Sequence, residues 1–116
     1  MNKIEASNRA MAMGRNFTRI GVINLGNLTK QALEEQGWDQ KTFIQKLAER
    51  SHTSNEWSVS RFLNGKTDKP DGTMIMTLAD LEICLNPATK KPYSFRELML
   101  IACEEIDPAT GQPFMK

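Results

Sequence analysis

The chain has 116 residues, 40% of them hydrophobic and 25% charged, the size and balance of one soluble globular domain that needs no disulfide or metal to hold its core. No apolar run approaches the ~20 residues that cross a bilayer, and the N-terminus lacks a signal peptide's apolar centre, so a cytoplasmic protein is expected. The net charge of +1 hides an asymmetry: residues 1–70 hold eleven Lys or Arg against seven Asp or Glu, and residues 71–116 hold four against seven.

Residues 1–16 show no clear period and contain several Asn, Ser, Arg and Met, the composition of an N-terminal arm. Residues 17–25, FTRIGVINL, are β-branched and apolar with weak alternation. They read either as a short strand, which needs a partner such as the same segment of a second subunit, or as an extended lead-in lying on the bundle. Residues 1–26 are therefore set apart as the arm, and 27–116 as the folded domain. Asn27 offers a cap to a first helix over 28–36, with Leu28, Ala32 and Leu33 inward and Gly37 at its end.

Asp39 can accept from the free amides of a helix that begins at Gln40. Phe43, Ile44 and Leu47 then recur on one face. Ser51, His52 and Thr53 compete for backbone hydrogen bonds and break the helix. Thr53 and Glu56 stand in capping-box spacing, which predicts a further helix from near Ser54, and Asn64-Gly65 ends it. At about 3.6 residues per turn, Val59, Phe62 and Leu63 form its buried side. Trp57, Ser60, Arg61 and Asn64 form an outward stripe of an indole, a hydroxyl, a cation and an amide.

Residues 58–66, SVSRFLNGK, resemble the end of the recognition helix in helix-turn-helix regulators of the XRE (Cro and phage-repressor) family. Residues 37–41, GWDQK, resemble that family's approach to its second helix, where a Gln meets a phosphate. The resemblance spans roughly residues 27 to 85 and is specific at the two ends of the motif. The middle departs from the pattern. Ile44 stands at a position usually small, no glycine lies between Gly37 and Gly65, and the connection is about five residues longer than the usual short turn. The resemblance implies an all-α fold, a compact bundle of short helices containing a helix-turn-helix, with double-stranded DNA as partner.

Residues 66–72 are a loop by composition. A helix over 73–85 follows, with Ile75, Leu78, Leu81 and Leu85 inward. Residues 86–93, NPATKKPY, are then echoed by residues 107–114, DPATGQPF. Each copy joins an Asx-Pro turn to a second proline and an aromatic residue, which makes a stiff, non-helical connector. Between the copies, Ser94 and Glu97 form a capping box, and Phe95, Leu98, Met99, Ala102 and Ile106 make the stripe of a fifth helix. The second copy reads as a terminal turn that folds back, or as a truncated repeat.

Candidates for catalysis or metal binding are few. His52 is the one histidine, has no cysteine or second imidazole near it, and reads as a solvated turn residue. Cys84 and Cys103 fall inside apparent helices and read as small core residues. No phosphate-cradling loop, nucleophile elbow or His-Glu-x-x-His is present, so neither an enzyme nor a cofactor is expected.

Recognition chemistry is better supplied. Arg61 can grip two acceptors of a guanine edge, or a phosphate. Ser58 and Ser60 can donate to phosphates or bases. Asn64 can read an adenine or close its helix, and Trp57 can meet a thymine methyl or a protein partner. Gln40, Lys41, Lys66 and Lys69 bracket the motif and are placed to meet backbone phosphates, and Asn55 completes the set. The expected function is a sequence-specific DNA-binding regulator, read as a repressor and as a homodimer. The competing class is a protein-interaction module or antitoxin-like protein, with Trp57 and the acidic C-terminal tail as docking surface.

Overall fold

A computed structural model describes residues 16–114. Among them the chain forms five α-helices and one small hairpin: α1 (Arg19–Gln36), α2 (Gln40–Glu49), α3 (Glu56–Leu63), α4 (Gly72–Leu81), α5 (Phe95–Ala102), β1 (Ile106–Asp107) and β2 (Gln112–Pro113). The helical bundle expected from the sequence is what forms. Each helix supplies the shared core, through Leu25, Phe43, Leu47, Val59, Ile75, Leu78, Leu98 and Met99, all fully buried.

The largest departure is α1. Of the arm expected over 1–26, residues 1–15 lie outside the described residues, and 19–26 belong to α1. Neither a strand nor an extended lead-in occupies 17–25, so no strand is available there to pair with a second subunit. The cap is Thr18 rather than Asn27; its Oγ1 accepts from the Gly21 N–H at 2.9 Å. Gly21 and Gly26, poor helix formers, have a packing role in α1. A Cβ on Gly21 would lie 2.2 Å from the Ala102 carbonyl oxygen at the end of α5, and one on Gly26 2.3 Å from the Phe62 carbonyl oxygen in α3. Each glycine costs its helix about 1 kcal/mol, offset by backbone contacts that no larger residue allows. α1 thereby braces α3 and α5 together.

α4 starts where Asp71 Oδ1 accepts from the Thr73 N–H at 2.9 Å. It ends earlier than the expected residue 85, because Glu82 turns left-handed with φ 57°. Leu85 therefore leaves the helical face and is exposed, while Ile83 is buried. For the same reason Cys84 lies beyond the helix, and Cys103 closes α5 rather than sitting inside it. Both cysteines are nonetheless buried, and burial pushes the Cys84 thiol up to about 12.

α5 carries the expected capping box. Ser94 Oγ accepts from the Glu97 N–H at 3.1 Å, and the Glu97 carboxylate accepts from the Ser94 N–H at 3.0 Å. Ile106 is buried as expected, but from β1 and not from the helix.

The echoed segments fold alike. Leu85 bridges Pro92 in the first, and Ile106 pairs with Pro113 in the second. Asn86 Oδ1 accepts from the Ala88 N–H at 2.8 Å and Asp107 Oδ1 from the Ala109 N–H at 2.9 Å. At the matching turn position Lys90 and Gly111 both have positive φ, 63° and 74°. The second copy folds back onto the first, where Asn86 Nδ2 donates to the Gly111 carbonyl at 3.3 Å.

Candidate nucleic-acid interface

α2, the turn and α3 form one packed unit. α2 opens as expected, with Asp39 Oδ1 accepting from the Thr42 N–H at 2.7 Å. That backbone N–H stabilises the ionised carboxyl and holds Asp39 below the usual carboxylate range. At the other end Ser51 does the work of the missing glycine, in the left-handed conformation with φ 65°. Its N–H donates to the Ala48 carbonyl at 2.9 Å and the His52 N–H to the Leu47 carbonyl at 3.0 Å, the paired bonds that close a helix.

Residues 52–55 then lead to α3 without helical structure. His52 is half-buried rather than solvated. Its Nδ1 lies 3.2 Å from Thr73 Oγ1, and the Thr73 hydroxyl donates to Asp71 Oδ1 at 2.9 Å. The lengthened turn is thus tied to the first turn of α4.

Thr53 does not cap α3. Asn55 does, its Oδ1 accepting from the Ser58 N–H at 2.8 Å. Asparagine caps at least as well as threonine and stands directly before Glu56, so the helix begins later than the Thr53-Glu56 spacing predicts. Asn55, one of the expected DNA contacts, therefore has its oxygen engaged within the protein.

α3 buries Val59, Phe62 and Leu63 and exposes Glu56, Trp57 and Ser58, with Ser60 and Arg61 half-buried. Trp57 is 71% exposed. The Arg61 guanidinium carbon lies 5.0 Å from the centre of the Trp57 ring, and Nη2 donates to the Lys66 carbonyl at 2.8 Å. On the neighbouring part of the helix Asn64 Nδ2 donates to the Ser60 carbonyl at 2.8 Å and approaches Ser60 Oγ at 3.3 Å. Asn64 thus holds the end of α3. Gly65 (φ 69°) and the Lys66 N–H, which donates to the Arg61 carbonyl at 2.8 Å, complete the closure.

A cavity of about 390 Å³ opens beside α3, between the turn and the loop after the helix. Trp57, Ser58, Arg61 and Lys69 share its wall with Asp68 and Asp71. The expected set is thus divided. Gln40 (half-buried) and Lys41 (exposed) stand in the first turn of α2, and Lys66 is exposed just past α3; these three, with Asn55, Ser60 and Asn64, lie outside the cavity wall.

The acidic side of the cavity was not foreseen. Asp71 has a local signal, an Asp directly before a helix. Asp68 has none, since its 3.7 Å ion pair is with Arg19 on α1. Among the described residues, no helix is long and apolar enough to cross a membrane. No protein-family model matches the chain, and no similar curated protein or solved structure was found.

Proposed function

We propose that this chain is a sequence-specific double-stranded DNA-binding protein, a small cytoplasmic transcriptional regulator of the XRE type that acts as a repressor. The observation that carries the reading is α3 itself. One side is anchored through Val59, Phe62 and Leu63. The other offers an exposed Trp57 and an Arg61 held between that indole and the Lys66 carbonyl. The resemblance at residues 37–41 and 58–66 supports it, as does the basic excess of the first seventy residues. In this reading α3 lies in the major groove with its N-terminal half nearest the bases. Arg61 reads a base edge, and Gln40, Lys41, Lys66 and Lys69 meet phosphates. A homodimer would place two half-sites about 10 base pairs apart.

Asp68 and Asp71 favour a second reading. Two carboxylates on the same cavity as Trp57 oppose a phosphate backbone and suit a basic or apolar protein partner. The bundle is then an interaction module or antitoxin-like protein, docking its partner at Trp57 and the C-terminal hairpins.

Selection from a random duplex library at near-physiological salt, with wild type and Arg61→Ala in parallel, separates the two. The DNA reading expects a palindromic motif from the wild type, with Arg61→Ala costing about 1–3 kcal/mol and relaxing one base position. Lys66→Ala should instead weaken binding on every sequence and lower the salt slope by about 1. No enrichment above the salt-sensitive background would overturn the DNA reading.

A further inference from the structure

We infer that Trp57 and Arg61 act as one composite reading unit, and that its ligand is a guanine with a thymine beside it in the major groove. The inference rests on the DNA reading above and specifies what α3 recognises. An arginine on an exposed helix face is ordinarily a flexible fork that loses rotamer freedom when it binds. Arg61 already has two contacts within the protein: the Trp57 ring lies 5.0 Å from its guanidinium carbon, and the Lys66 carbonyl accepts one hydrogen bond at 2.8 Å. A guanidinium has more N–H donors than that single bond uses. The donors that the Lys66 bond leaves over are what can pair with guanine O6 and N7.

The surroundings favour a base over a phosphate. Asp68 and Asp71 share the cavity wall with Arg61 and Lys69, so a phosphate placed at Arg61 would meet two carboxylates as well as the cations, whereas a guanine edge is an uncharged acceptor. Next to the fork stands an indole that is 71% exposed. The apolar feature of the major groove is the thymine methyl, so an indole in contact with a guanine-reading arginine selects a thymine at the adjoining position. Ser60 and Asn64 bond to each other, and the Asn55 oxygen caps α3.

The test replaces, one at a time, each thymine of the duplex enriched by wild type with uracil, which removes only the methyl group. Affinity is read by fluorescence anisotropy. At one position per half-site, wild type should bind the uracil duplex about fourfold more weakly, the effect of burying one methyl group. Trp57→Ala should bind both duplexes equally, Trp57→Phe should keep part of the difference, and Arg61→Ala should lose the preference for guanine at the neighbouring position. Unchanged thermal unfolding of Trp57→Ala excludes misfolding as the cause. Equal binding of thymine and uracil duplexes by wild type at every position overturns the inference alone, as does discrimination that survives in Trp57→Ala. Failure to enrich any duplex overturns the DNA reading and this inference with it.

Discussion

α3 and α5 are both eight residues long, and each begins with a polar side chain that accepts from the amide three residues ahead. Their use in the fold differs. α5 buries Phe95, Leu98, Met99, Ile101 and Ala102 and packs on α1, α4 and β1. α3 buries only Val59, Phe62 and Leu63 and is held from behind by α1 and α2. A helix enclosed on most sides is selected for how it fills space. One supported from a single side is free to carry chemistry on the other, and on α3 that other side carries a tryptophan and an arginine. The same capping devices thus make a scaffold element in one place and a presented surface in the other.

Substitutions can break this contrast, and the largest effect should come from the enclosed helix. Leu98→Ala removes a fully buried side chain of α5 and should lower stability by about 2–5 kcal/mol in denaturant unfolding. A much smaller loss would mean that α5 is less enclosed than its burial implies. Ser94→Ala removes one half of the α5 capping box and should cost about 1 kcal/mol in the same measurement. The smallest change in stability is expected at the presented helix: Trp57→Ala should stay within about 0.5 kcal/mol of wild type in thermal unfolding, since its ring is mostly in solvent. A large loss there would make Trp57 a core residue and erase the contrast.

Much of this was legible because its signals are local. Asp39, Gly37 and Gly65 mark helix ends within a few residues of the bonds they make. The Ser94-Glu97 box and the two Asx-Pro turns are equally short-range. The expected helix over 28–36 is the second half of α1, but its first half was hidden because Gly21 and Gly26 are poor helix formers, and the backbones they touch, at Ala102 and Phe62, are distant in sequence. Left-handed helix ends at Ser51, Glu82 and Glu104 carry no glycine to announce them, so the end of α4 was placed too late.

At the candidate site, helical spacing suffices to put Trp57 and Arg61 on one face. The bond from Arg61 to the Lys66 carbonyl and the sharing of a cavity with Asp68 and Asp71 depend on the path of the following loop, which periodicity does not encode.

The most direct test of the central claim is amide hydrogen exchange with and without the enriched duplex. If α3 is the reading helix, binding slows exchange across residues 55–66 and leaves the hairpins at 85–92 and 106–113 unchanged. Slowing confined to the hairpins, with α3 exchanging as in the free protein, would contradict the account.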